Sequence, residues 1–478
     1  MTVPSFLFLA FAAVAAALHG LSGSKRWRMA VMLLANLGFL LSFSHRPLAL
    51  APYLGFLAIG YALVRLVGAN ASARIQAGAV TTIVAAFLWL KHYSFVPDAV
   101  LLPFSYATVG LSYVFFRVLH LAIAAREEPE AAGVGPVEYV NYTLNFTALV
   151  SGPIQGFEDY KRMTDEEPAP LGLDEVGLAL ERIVTGMFQF TVMAALVSLV
   201  QRDVAALLVG NLPLMERAFL TALLTAAYPV FLFFNFAGYT SFVIGVARFF
   251  QLELPENFNQ PFRATSFIDY WSRWHMSLSN WLKAHVYNPL LLNSARRLHD
   301  PGLVPILNVA ALFVTFFLIG LWHGPTWHFV VFGVFNGAGV AVNQFYRLAM
   351  QKRLGTGGFL KLGTHPIYVF VSRGATFAWV AFTLLWFWSD GPELSGFAQR
   401  LGPLGLAAAG NMLVIGACLI IALLLAAQHL AGAVGFGGRP LVTSPYLRTM
   451  WVTLMLLAVI ASNVATAGDA GEVVYKSF

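Results

Sequence analysis

Three histidines stand in surroundings that suit chemistry. His323 and His328 lie five residues apart in "GLWHGPTWHFVVFG" (320–333), and His275 lies in "RWHMSLSNW" (273–281). A neutral imidazole takes up a proton near neutral pH, so each has the side chain a general base needs. The same ring is costly among lipid tails and is kept there for a task or a partner. His323 ends an apolar run and is followed by Gly324 and Pro325. Glycine admits close approach to the backbone and proline halts a helix, so an imidazole at a helix break is expected, shielded by Trp322 and Trp327. His328 falls on a different helical face and reads as a packing or hydrogen-bonding residue. Zinc would want three protein ligands, whereas HxxxxH without a nearby Cys, Asp or Glu offers two, so no metal site is expected.

The elements around His275 are set by the stretch before it. "PENFNQPF" (255–262) holds two prolines and two asparagines and reads as a fixed turn. Thr265 or Ser266 then caps a helix predicted from Phe267 to about Val286. Trp271, Trp274, Leu278 and Trp281–Leu282 recur along it at three- and four-residue spacing, with Asp269, Arg273, Ser277 and Lys283 between them. That pattern is an amphipathic helix on the inner membrane interface, its tryptophans acting as anchors. On such a helix His275 serves either as a hydrogen-bonded core residue or as a functional one; the sequence leaves both readings open. Upstream, Gly238 beside Tyr239 and Thr240 is expected to break a helix at the bilayer boundary.

Composition sets the class. The 478 residues are 58% hydrophobic and 11% charged, about half the charged share of a soluble domain. Apolar runs approaching the roughly 20 residues that cross a bilayer recur along the chain, among them Ala30–Phe43, Leu48–Val67, Leu303–Leu321, Val369–Trp388 and Met412–Ala427. An all-α, polytopic membrane protein of about 10–12 transmembrane helices, with re-entrant and interfacial helices, is expected. The run Pro4–Leu18 lacks a basic n-region and reads as a retained first span with its N-terminus outside. Inner segments then carry Lys25, Arg26, Arg28, Arg74, Arg126, Lys161, Arg162, most basic residues of 248–297, Arg347, Arg439 and Arg448. The outer ones keep little beyond Arg46, Lys91, Arg202, Arg217, Arg400 and Lys476, which satisfies the positive-inside rule. The net charge of +6 therefore reports orientation and not nucleic acid. Cys418 is the only cysteine, which excludes an intrachain disulfide and a Cys-rich metal site. Without a 20–50-residue repeat or a low-complexity tract, residues 1–478 read as one membrane domain: a motif-bearing core at about 100–345, peripheral N-terminal spans at 1–99 and C-terminal spans at 346–478.

With these motifs in place, the sequence resembles the membrane-bound O-acyltransferase (MBOAT) family. It looks most like the bacterial branch of alginate O-acetylases and teichoic-acid D-alanyl transfer proteins. The words that carry the resemblance are "NFAGYTSFVIG", "PENFNQPF", "DYWSRWHMSLSNWLKAHVYNPL" and "GLWHGPTWHFVVFGVFNG", with looser matches at "VGLSYVFFRVLHLAI" and "SGPIQGFEDYKRM". The resemblance implies a helical ring around a central tunnel in a bacterial cytoplasmic (inner) membrane. The family's essential histidine falls on His323 and its second motif histidine on His275. Departures occur at Asn235, where an acidic residue is common, at Ala284-His285 in place of Arg-Asp, at "GMFQF" without its lysine, and at Phe387-Trp388 in place of Phe-Arg.

The implied chemistry is acyl transfer from a cytosolic thioester, acyl-CoA (acetyl-CoA) or an acyl carrier protein, to an alcohol, with no tightly bound cofactor. His323 would draw the proton from the attacking hydroxyl. Trp322, Trp327 or Asn336 would serve the oxyanion, and His275 with Arg273, Asn257, Asn259 and Ser277 would hold the donor or the inner tunnel mouth. The implied partners are membrane lipid, a periplasmic acyltransferase or polysaccharide export machinery, and a small acyl carrier protein. The expected product is an O-acylated, most simply acetylated, exported polysaccharide. The rival within the class is D-alanyl transfer toward a teichoic-acid-like polymer, and the rival from another class is a secondary transporter, which would favour internal repeats.

Overall fold

Ser266, and not Thr265, caps the helix that leads to His275: its Oγ accepts the backbone N–H of Asp269 at 3.1 Å. The computed structural model describes residues 1–44, 46–167, 171–298, 300–389, 391–434 and 444–465. Arg439 and Lys476, counted in the charge asymmetry, lie outside the described residues. Helices dominate, and among the described residues nine are long and apolar enough to cross a membrane: Leu48–Asn70, Ala73–Leu90, Leu173–Leu208, Leu214–Arg248, Val304–His323, Trp327–Thr364, Pro366–Trp388, Gly391–Ala422 and Pro445–Ala465. Two shorter apolar helices, Phe6–Gly20 and Leu111–Ala124, accompany them. The all-α, multi-pass class expected from composition is the observed one.

The chain divides into two units. One comprises Met1–Val192, Asn235–Glu256 and Met455–Phe478. Its irregular segment 144–155 is buried throughout, so its backbone polar groups need internal partners in place of water. Arg117 supplies several, with Nη1 donating to the Thr143 carbonyl at 3.0 Å and Nη2 to the Ala148 carbonyl at 2.9 Å. Tyr239 Oη accepts from Ser151 N at 3.0 Å, Tyr142 Oη donates to the Gln155 carbonyl at 2.8 Å, and His120 Nε2 accepts from Phe157 N at 3.1 Å. The "SGPIQGF" stretch is thus fixed by side chains from three helices.

Gly238 does not break its helix. The helix runs unbroken from Leu214 to Arg248. A side chain at Gly238 would stand 2.8 Å from the Gly186 carbonyl, and one at Gly186 would stand 2.5 Å from Phe242 N. The two glycines let helices cross backbone to backbone, which is the use small residues have inside membranes.

The second unit comprises Met193–Phe234 and Asn257–Leu454 and contains all three opening histidines. Its central pair is the Val304–His323 helix and the Trp327–Thr364 helix. A Cβ on Gly320 would lie 2.3 Å from the Gly333 Cα, and one on Gly337 would lie 2.8 Å from the Phe313 ring. The seam leaves room for backbone alone, and it fixes His323 over the first turns of the next helix.

Candidate active site

His323 is the last residue of its helix, and the chain turns through Gly324–Thr326 before the next helix starts at Trp327. The imidazole is 2% exposed. Its walls are aromatic, with ring centroids at 4.7 Å for Trp322, 5.0 Å for Phe387, 5.6 Å for Phe332 and 6.4 Å for Phe329. Trp327 is not among them. It is 53% exposed and lies against His328 at 4.1 Å and Trp386 at 6.2 Å. The expected double tryptophan shield is therefore one tryptophan and three phenylalanines, because Trp327 opens the next helix on its outward face. His328, beside Trp327, takes a packing position.

His275 lies on the same ring system. Its centroid is 6.2 Å from that of Trp322, so Trp322 touches both histidines. His275 is 1% exposed, and burial pushes its imidazole down to about 3, so the ring is neutral at physiological pH.

The helix expected from Phe267 to Val286 is broken at this histidine. Phe267–Trp271 and Met276–Leu282 form separate helices, followed by a wider turn over Lys283–Tyr287 and the Asn288–Leu298 helix. His275 itself adopts φ 45° and ψ 51°, a left-handed conformation that costs a non-glycine residue on the order of 1–3 kcal/mol. The turn "PENFNQPF" offsets that cost. Met276 N donates to the Asn257 carbonyl at 3.0 Å, Ser277 N donates to Asn257 Oδ1 at 3.1 Å, and Asn259 N donates to the Arg273 carbonyl at 3.0 Å. Phe258 pairs with Trp274 as an isolated antiparallel bridge.

Arg273, Asn257, Asn259 and Ser277 are thus gathered around His275, but as its frame. The Arg273 guanidinium is held by Asp269 at 2.7 Å, and Asp269 also accepts from Thr265 N at 3.0 Å. The tryptophans assigned to the interface are also inside: Trp271 packs on Phe316 at 5.2 Å, Trp274 on Phe258 at 5.0 Å and Trp281 on His285 at 4.6 Å. Splitting the helix at His275 turns their faces inward, which a continuous helical wheel does not reveal.

Asn336 is 1% exposed, one turn below Phe332. Its Nδ2 donates to the Phe332 carbonyl at 2.8 Å, and its Oδ1 is buried with no hydrogen-bond partner among the described residues. Flipping the amide would set oxygen against oxygen, so Oδ1 is the free acceptor, while Nδ2 keeps a second N–H beyond the one bonded to Phe332. Phe329, Phe332 and Phe387 are the wall residues that motif reading missed. The first two share a face with Asn336 at helical spacing, a signal present in the sequence; Phe387 drew notice only as a departure. Among the described residues no three His, Cys, Asp or Glu side chains cluster as metal ligands would.

Residues 81–385 match the model of the MBOAT, membrane-bound O-acyltransferase family. The chain is 26% identical over 240 residues to the teichoic acid D-alanyltransferase of Bacillus subtilis, covering 50% of this chain and 59% of that protein. It is 30% identical over 220 residues to the peptidoglycan O-acetyltransferase of Helicobacter pylori, covering 45% and 39%. With the "Probable alginate O-acetylase AlgI" of Azotobacter vinelandii it shares 28% over 254 residues, covering 53% and 47%. The matched stretch spans about half the length of these curated relatives.

Proposed function

Because the chain belongs to the membrane-bound O-acyltransferase family, we propose that it moves an acyl group, most simply acetyl, from a cytosolic thioester to a hydroxyl of an exported polysaccharide or of a periplasmic relay partner. The observation that carries this reading is Trp322 in ring contact with two buried histidines, with His323 at the end of a helix. His323 takes the proton of the acceptor hydroxyl as its oxygen attacks the thioester carbonyl. The C–O bond forms and the C–S bond breaks, and the proton passes from the imidazole to the departing thiolate. The Trp322 indole N–H stabilises the developing oxyanion. Asn336 Oδ1 orients a hydroxyl or amide donor of a substrate, and His275, neutral and framed, positions the thioester arm. The aromatic walls exclude bulk water, the competing nucleophile. The setting is a bacterial cytoplasmic membrane, with the acceptor arriving from the outer side.

A second reading has its own support. The Asn288–Leu298 helix leaves Leu290, Leu292 and Leu298 exposed at 39%, 55% and 52% and carries Arg296 and Arg297 in its last turn. Exposed leucines and basic residues on one helix suit an acidic acyl carrier protein, and one relative is named a D-alanyltransferase. In that case the donor thioester arrives on a protein. Transport finds less support, since the relatives named above are transferases or an acetylase.

The deciding experiment supplies membranes containing the chain with labelled acetyl-CoA or, separately, a labelled acyl carrier thioester, and follows alkali-labile label into the glycan fraction. Label from acetyl-CoA supports the first reading and label only from the carrier supports the second. No ester from either donor contradicts both.

A further inference from the structure

The first unit contains a cavity of about 860 Å³ that the acyl-transfer reading does not use. Leu9, Ala12 and Ala16 of the Phe6–Gly20 helix form one wall, and Ile183, Met187 and Val246 face them from two other helices. The polar end is formed by His19, Arg28 and Gln251. Arg28 is only 7% exposed, yet its two hydrogen bonds go to neutral acceptors, His19 Nε2 at 3.3 Å and Gln251 Oε1 at 3.1 Å. Among the described residues no carboxylate lies within ion-pair distance of it, whereas neighbouring Lys25 is paired with Asp165. A guanidinium withdrawn from water without a counter-charge is strongly disfavoured.

The surroundings add positive potential. Arg28 sits in the first turn of the Lys25–Leu41 helix, which has no acidic residue in that turn and no side-chain cap from Ser24. The free N–H groups and the dipole of such a helix end favour an anion. Trp27, 41% exposed with its indole bonded to the Leu18 carbonyl at 2.8 Å, has the polarity of a headgroup-level residue.

We propose that this cavity binds an acidic phospholipid, its acyl chain along Leu9, Ala12, Ala16 and Met187 and its phosphate against Arg28. An apolar slot capped by one buried cation matches an anionic amphiphile. A soluble phosphate would leave the apolar walls uncovered, and a zwitterionic headgroup would bring its own cation to Arg28. Lipid binding at Arg28 does not depend on the His323 chemistry.

The test uses the purified full-length chain in a neutral detergent, titrated with phosphatidylglycerol or phosphatidylcholine and followed by native mass spectrometry and thermal unfolding. Phosphatidylglycerol is expected to stay bound and raise the melting temperature, and phosphatidylcholine to do neither. Arg28→Gln should weaken phosphatidylglycerol binding at least tenfold, and Ala16→Leu, which fills the slot and keeps the charge, should weaken it comparably. Ala16→Leu carries the test alone if Arg28→Gln does not fold. Equal binding of the two lipids, wild-type affinity in either folded variant, or displacement of the lipid by equimolar coenzyme A would overturn the proposal.

Discussion

Asn257 Oδ1 accepts the backbone N–H of Ser277 at 3.1 Å, closing a bracket across the left-handed residue between them, His275. The Asn257 carbonyl closes the same bracket from its other side through Met276 N at 3.0 Å. Replacing Asn257 by leucine strands the Ser277 amide in a buried site, at a cost of about 1–3 kcal/mol. Thermal unfolding should shift down accordingly, and the KM for the thioester should rise more than kcat falls. A variant with wild-type stability and KM would show that the bracket holds nothing in place.

His275→Asn separates conformation from chemistry. Asparagine tolerates the left-handed region better than histidine, so the variant should fold, while losing the imidazole that lies against Trp322. The pH profile of its stability should change as well. In the folded chain His275 is pushed down to about 3, below the ordinary value of 6.5. Between those values the unfolded chain binds a proton that the native one does not, so native stability falls as pH drops through 6.5 and levels off below about 3. The asparagine variant should lack this contribution, seen as a flatter acid limb in thermal melts between pH 4 and 7. An unchanged limb would mean that His275 does not remain neutral on folding.

The Gly320–Gly333 contact predicts a contrast between glycines. Gly333→Leu drives a side chain into the Phe317 carbonyl, 2.6 Å from its Cβ position, and overpacking of this kind costs about 1–3 kcal/mol. Transfer should fall with it, because the helix that ends at His323 is displaced. Gly410→Ala and Gly416→Ala lie in a helix where a Cβ meets nothing within 4 Å. Those two should be neutral or stabilising by up to about 1 kcal/mol. Chemical denaturation of all three in one detergent tests the ordering, and an equal loss at Gly410 would refute it.

Much of this was legible in the residues. The multi-pass helical class follows from apolar length alone, and the break after His323 follows from Gly324-Pro325. The break at His275 was not legible, because Trp271, Trp274, Leu278 and Trp281 keep a helical period across it. The force that breaks the helix is a long-range bracket from residues 257–259, and local periodicity does not register it. The inward packing of those tryptophans stayed hidden for the same reason. Asn336 was visible as a polar residue at depth, but which of its amide atoms is free depends on a hydrogen bond to the Phe332 carbonyl that only the folded helix displays.

Phe387 packs edge-on against His323 at 5.0 Å. Phe387→Leu should admit water to the thioester, raising the ratio of hydrolysis to transfer severalfold while leaving donor binding nearly unchanged. Free acid and acylated acceptor, counted from the same labelled donor, give that ratio. A ratio that does not move would place the water barrier elsewhere.

The role of His323 as the base is tested most directly by steady-state acyl transfer with the His323→Gln enzyme, compared with wild type at matched membrane expression. The expected kcat is lower by about 10²–10⁴-fold with donor binding retained, the range that removal of a general base produces. A kcat within a few-fold of wild type would contradict it and would move the proton acceptor to another residue.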